Sequence, residues 1–282
     1  MRLINTEALA LEEFYGDIPP YAILSHRWES EEVTFKDYPT QPDSENPSPM
    51  KGWKKIRHCI DQAQKYGLGY CWVDTCCIDK SSSAELTEAI NSMYAWYRDS
   101  SVCYIYMTDV DAIIHPGQDA HGREYLEEQF RSSQWFQRGW TLQELLAPRK
   151  RVFYNNLWKP ILDLDNPSQL NPLRSLVSKV TGIPHEALAE FDSRSVEYSV
   201  ATKMSWASKR KTTRIEDIAY CLMGLFDINM PLLYGEGHKA FLRLQHETIR
   251  KSNDHSIFCW RDQSATFSTH RGLLARSPSE FD

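Results

Sequence analysis

One acid stands in an otherwise apolar and aromatic run, Trp135-Phe136-Gln137-Arg138-Gly139-Trp140-Thr141-Leu142-Gln143-Glu144-Leu145-Leu146-Ala147-Pro148. If Gly139 or Trp140 opens a short helix and Pro148 closes it, Trp140, Leu142, Leu145 and Leu146 form the buried surface, with Glu144 pressed among them. A carboxylate so placed is either paired or functional, because burial disfavours its charge. Ser25, His26, Arg27 and Trp28 directly follow the apolar run Tyr21-Ala22-Ile23-Leu24. Polar groups in a loop just past a buried strand are where sites are found. Asp74, in Tyr70-Cys71-Trp72-Val73-Asp74-Thr75-Cys76-Cys77-Ile78, either positions a ligand hydroxyl or a neighbouring loop, or caps local backbone amides.

Other candidates carry less. On a strand, Cys76 and Cys77 point to opposite faces and cannot share one ion, and no second Cys or His pair stands at zinc spacing, so no metal is expected. A cysteine hydrolase built on Cys76 and His26 is a minor alternative. Gly235-Glu236-Gly237 neither follows a strand nor leads to a Lys-Ser/Thr pair, so it is not a phosphate loop. The clusters Arg149-Lys150-Arg151 and Lys209-Arg210-Lys211 read as solvated surface, with a phosphate-binding patch as the alternative for each.

The elements that must position these residues alternate in the first half. Residues 21–25 read as a buried strand. A long loop with Pro39, Pro42, Pro47 and Pro49 follows, then a helix over about 51–66 stopped by Gly67. Residues 70–78 form a second strand. Ser82-Ser83-Ala84-Glu85 has capping-box spacing, which gives Glu85 its role, and Leu86, Ala89, Ile90, Met93 and Tyr97 continue as one helical stripe. Residues 101–107 form a third strand, the Glu144 helix follows, and residues 151–154 are short enough for an edge strand. This order predicts an α/β fold, a parallel sheet flanked by helices, with sites beyond the carboxyl ends of its strands.

Past about residue 164 the strand signals fade. Thr213-Arg214-Ile215-Glu216 is a second capping box opening a helical face that runs to Phe226, and another helix runs from about 236 to 252. Three regions follow: an α/β core over 1–160, a helical extension over 161–260, and a polar tail or linker over 261–282.

The 282 residues are 41% hydrophobic, 12% aromatic and 25% charged, an ordinary globular composition with material for a large core. A formal net charge of -6 argues against nucleic acid as the main partner. No run is apolar enough to span a membrane and no secretory signal is evident, so the chain reads as intracellular and cytoplasmic. The seven cysteines are then expected to be reduced thiols.

Three blocks carry a resemblance. Tyr21-Ala22-Ile23-Leu24-Ser25-His26-Arg27-Trp28, Cys71-Trp72-Val73-Asp74-Thr75-Cys76-Cys77-Ile78-Asp79-Lys80 and Arg138-Gly139-Trp140-Thr141-Leu142-Gln143-Glu144-Leu145 resemble, in order, the motifs of the fungal heterokaryon-incompatibility (HET) domain. Thr213-Arg214-Ile215-Glu216-Asp217-Ile218-Ala219-Tyr220 and Pro231-Leu232-Leu233-Tyr234-Gly235-Glu236-Gly237 resemble the segments that follow, so the likeness covers about 20–260. It implies non-self recognition and regulated cell death, self-association, and further receptor domains past residue 282.

HET domains are in turn similar to TIR domains, which implies a TIR-like, flavodoxin-like sheet. Trp140-Thr141-Leu142-Gln143-Glu144-Leu145 resembles the Trp-Cys-Leu-x-Glu-Leu motif that carries the catalytic glutamate of NAD-cleaving TIR domains, with Thr141 in place of Cys. The resemblance implies NAD as substrate, no cofactor, and Glu144 as the carboxylate that stabilises the ribosyl oxocarbenium centre left when nicotinamide departs. Ser25, His26, Arg27, Trp28, Asp74 and Trp140 are then the substrate-binding set. In it Arg27 meets the pyrophosphate, and Trp28 or Trp140 stacks on a flat base. A non-enzymatic signalling adaptor acting by self-association is the alternative.

Overall fold

The computed structural model describes residues 1–38, 50–112, 120–163, 170–193, 197–262, 264–266 and 271–282. The chain opens with a hairpin of β1 (Arg2–Asn5) and β2 (Leu11–Glu13), then enters β3 (Tyr21–His26), in which every residue is buried. Helix α1 (Gly52–Lys65) leads to β4 (Tyr70–Trp72), and α2 (Ser83–Asp99) leads to β5 (Val102–Tyr106). After α3 (Ala120–Ser132) and the short α4 (Thr141–Leu146) come β6 (Arg151–Tyr154) and β7 (Pro160–Asp163).

These strands form one seven-stranded sheet in the order β2-β1-β4-β3-β5-β6-β7. Its middle four, β4-β3-β5-β6, are mutually parallel, and β1 and β7 close its flanks antiparallel. The fold is thus α/β, and the parallel strands run second, first, third, fourth in chain order, as do the first four strands of a flavodoxin-like sheet. Apolar β3 lies at the centre because only a strand covered on both faces can consist of buried residues throughout.

Several elements differ from the sequence expectation. The strand over 70–78 stops at Trp72, because the Val73 carbonyl accepts from the amides of Cys76 (3.3 Å) and Cys77 (2.9 Å) and winds the chain into a turn. The opposite-faces argument for Cys76 and Cys77 therefore does not apply. Strand β6 is not an edge, since β7 pairs with it. The β1–β2 hairpin, β7 and α3 carry too little periodicity to be read. The proline-rich loop over 39–49 lies outside the described residues.

Helix α1 ends as its Gly67 predicts: φ is 72° there, and the Leu68 amide returns to the Ala63 carbonyl (2.9 Å). At α2, Ser82 caps the Glu85 amide, but the Glu85 carboxylate takes the Asp79 amide (2.8 Å) and Arg2 (2.7 Å) and leaves the reciprocal half of the capping box unmade.

The second half is helical: α5 (Leu170–Thr181), α6 (His185–Ala189), α7 (Val200–Ser205), α8 (Asp217–Tyr220) and α9 (Lys239–Lys251). The expected capping box at Thr213 does not form. Glu216 instead accepts the amides of Gly235 (2.8 Å) and Gly237 (3.0 Å), and the foreseen long helix breaks into α8 and a 3-10 turn over Met223–Phe226. Gly224 lets that turn press on α2, since an added Cβ would lie 2.2 Å from the Tyr94 Cβ. Gly224→Ala is therefore expected to destabilise the fold by about 1–3 kcal/mol, read as a lower urea midpoint with an unchanged slope.

The segment read as a polar tail is tied back onto the helices. Gln245 of α9 exchanges hydrogen bonds with the backbone of Ala275 (2.8 and 3.0 Å), Arg271 pairs with Asp262 and Glu280, and Phe281 is buried. No helix among the described residues is long and apolar enough to cross a membrane.

Candidate active site

Ser25 is the last residue but one of β3 and has no exposed surface. Its hydroxyl donates to Glu144 Oε2 and accepts from the Trp135 indole nitrogen at 2.9 Å. The acid singled out by sequence and the serine at the strand end are thus direct partners. Glu144 is only 7% exposed. Burial pushes its carboxyl up to about 8, and the Ser25 hydroxyl, Arg138 and Arg210 act the other way without reversing that shift.

The turn that presents Glu144 is clamped from the helical half. Arg138 and Lys211 form a parallel bridge in which the Gly139 amide donates to the Lys211 carbonyl (2.9 Å) and the Lys211 amide to the Gln137 carbonyl (2.7 Å). Gly139 is required there, because a Cβ would sit 2.6 Å from Thr212 Cγ2. Arg210 donates to the Arg138 carbonyl and to Thr141 Oγ1, each at 2.9 Å. Thr141 Oγ1 also lies 2.5 Å from the Trp135 carbonyl, so the hydroxyl standing where the TIR motif has a cysteine holds the turn in shape. Arg210 is buried, and desolvation lowers it to about 10. The surface reading of Lys209-Arg210-Lys211 is corrected for Arg210 alone: Lys209, paired with Asp282, and Lys211 are exposed.

Asp74 organises a second group. It lies in the turn after β4, where it accepts from the Trp28 indole nitrogen (2.7 Å) and pairs with His26 Nε2 (3.0 Å), with Lys80 Nζ 3.9 Å away. The Lys80 ammonium stands 3.4 Å over the Trp28 ring. Asp74 thus joins side chains of the β3 loop and is not a cap for local amides. Burial alone would raise its pKa, but Lys80, His26 and Trp28 together hold it well below the usual carboxylate range. A depressed folded pKa contributes stability above the unfolded value, near 3.8, and loses it as pH falls through the folded value. The stability difference between wild type and Asp74→Asn is therefore expected to shrink as pH drops below about 4, as measured by denaturant melts across that range.

Beside these groups opens a cleft of about 240 Å³ whose walls include Arg27, Arg138, Trp140, Lys211, Thr212 and Asp217. Trp140 lines it together with Asp217, which accepts from the Tyr234 hydroxyl at 3.0 Å. Larger hollows of about 710 Å³, in the helical half, and about 590 Å³, between α9 and residues 272–274, carry none of the candidate residues.

Ser25, His26, Trp28, Asp74 and Glu144 therefore gather at the carboxyl ends of β3 and β4, with Arg27 and Trp140 in the adjoining cleft. The sequence reading misses Trp135, Arg138, Arg210, Lys211 and Asp217, although Trp135 and Arg138 stand in the very run that draws attention to Glu144. Cys76 makes no hydrogen bond to His26. Its thiol is buried, donates to the Val73 carbonyl at 3.8 Å and is pushed well above its ordinary value by desolvation, which leaves no thiolate nucleophile. Among the described residues no group of three or more His, Cys, Asp or Glu side chains is arranged to hold a metal ion.

A parallel-centred α/β sheet with polar groups at its strand ends thus carries the sequence blocks noted above, and the comparisons agree with them. Residues 21–119 match the model of the family described as Heterokaryon incompatibility protein (HET), so the chain carries a HET domain. Glu144 lies beyond the matched residues. The chain is also 45% identical over 257 residues to Vegetative incompatibility protein HET-E-1 of Podospora anserina, an alignment that takes in 90% of this chain and 18% of that protein. The chain thus spans under a fifth of the length of this curated relative. No solved structure matches it.

Proposed function

We propose that the chain is a cell-death effector of heterokaryon incompatibility, acting in the cytoplasm as one part of a larger receptor, and that once self-associated it cleaves the nicotinamide glycosidic bond of NAD. The observation that carries this reading is the pairing of Glu144 with Ser25 at the end of the central parallel strand, beside a cationic cleft. An α/β sheet of this order binds ligands there. In this reading residues 1–160 supply the chemistry, residues 161–260 the second wall of the cleft, and residues 261–282 lead towards the other domains.

The cleft falls below the roughly 300–1,000 Å³ of sites that enclose a drug-sized ligand. It takes one half of the dinucleotide and leaves the rest outside. Burial keeps Glu144 protonated in the resting site. A bound nicotinamide ribosyl group brings positive charge, which favours loss of that proton to solvent. The carboxylate then stabilises the oxocarbenium centre as the C1′–N bond breaks, nicotinamide leaves with the bonding electrons, and water adds to C1′. Asp74 holds Trp28 and His26 in place at the strand ends, and Trp140 forms one wall of the cleft.

Incubating the purified chain, clustered through a fused dimerisation tag, with NAD tests the proposal. Release of nicotinamide is expected. Its absence from folded, clustered protein would leave the adaptor reading in its place.

A further inference from the structure

The cleft carries an excess of positive charge that the reading above leaves largely unused. Arg27 and Arg138 enter it from the α/β half, and Lys211 enters from the helical half with the threonines 212 and 213. Among the described residues none of the three cations has an ion-pair partner. The one acid on the wall, Asp217, is engaged by the Tyr234 hydroxyl at 3.0 Å. Lys80 stands close enough to Arg138 for the two charges to repel. A chain with net charge -6 thus gathers unneutralised cations at one small hollow.

The backbones of Arg138 and Lys211 are fixed. The Arg138–Lys211 backbone bridge places two of the cations side by side, and the buried Arg210 holds the Arg138 carbonyl from beneath. A guanidinium and an ammonium group on one wall of a cleft match the oxygens of a phosphoryl group, which accepts charge-assisted hydrogen bonds from each.

We infer that Arg138 and Lys211, with Thr213 and together with Arg27, form a pyrophosphate-binding subsite to which both halves of the chain contribute. The inference rests on the reading of this cleft as the NAD site only for the identity of the ligand; the anion site stands on the charge arrangement. It also makes the helical half part of the substrate site, so that Arg138 and Lys211 set the preference for a substrate that carries phosphates.

The test uses the full 282-residue chain and inorganic pyrophosphate at low ionic strength, followed by calorimetry. Wild type is expected to bind. Arg138→Ala and Lys211→Ala are each expected to weaken binding at least about tenfold. Lys211→Arg should keep most of the affinity, and Lys209→Ala, on the neighbouring surface lysine, should leave it unchanged. Thermal melts on each variant confirm the fold. No pyrophosphate binding by the wild type, or equal binding by the two alanine variants, overturns the inference. The two proposals fail separately. Pyrophosphate binding without nicotinamide release sinks the NAD cleavage and keeps the anion site, whereas NAD cleavage whose KM is untouched by Arg138→Ala and Lys211→Ala does the reverse.

Discussion

Glu144→Gln is expected to abolish nicotinamide release, by roughly 10²–10³-fold or more, while making the fold more stable at neutral pH. The two effects share one cause. The folded carboxyl titrates near 8, against an ordinary value of 4.5, because it lies buried under Ser25. Between those values the folded state keeps a proton that the unfolded state has lost, so stability falls as pH rises through that window. Each pH step of one across the window removes about 1.4 kcal/mol, and by pH 7 the cost to the wild type reaches about 3 kcal/mol. Glutamine keeps the shape and does not titrate. Denaturant melts of both proteins at pH 5, 7 and 8 should therefore diverge with rising pH, with the variant gaining. A glutamate that served packing alone would show no loss of activity when replaced.

Ser25→Ala is expected to move the pH dependence of activity. The Ser25 hydroxyl donates to Glu144 and so favours its charged form; removing it raises the carboxyl further. The ionised carboxylate is the working species, so kcat/KM in wild type should rise with pH up to about 8. In Ser25→Ala that rising limb should lie at higher pH, with at least about a tenfold loss at pH 7 that is largely recovered at pH 9. Ser25→Thr retains a hydroxyl and should keep the wild-type limb. A loss that is uniform across pH would instead mean that Ser25 serves to satisfy the Trp135 indole.

How much of the molecule is legible in its sequence follows from which signals are local. The apolar run ending in Ser25 marks the central strand, whose end at Ser25 and His26 is buried and not exposed as expected, and the lone acid among leucines marks Glu144, because burial of a charge is costly wherever it occurs. Their direct hydrogen bond links residues 119 positions apart and carries no local signature. For Asp74 the sequence points to the right neighbourhood for the wrong reason. The run around it looks like strand, but the Val73 carbonyl captures two amides and turns it into the loop that meets Trp28. Arg210 reads as surface because a run of three basic residues usually is, and nothing nearby in sequence announces the Arg138 carbonyl that it holds. The box at Thr213 has the right letters, but Glu216 finds better partners in the amides of Gly235 and Gly237.

The most direct measurement is a crystal structure of the Glu144→Gln protein soaked with NAD, which that variant should bind without cleaving. The account predicts the nicotinamide ribose in the cleft beside Trp140, with C1′ facing the residue 144 side chain and the pyrophosphate against Arg138 and Lys211. NAD bound elsewhere, or a residue 144 side chain sealed beneath Ser25 with no path to the sugar, would contradict it.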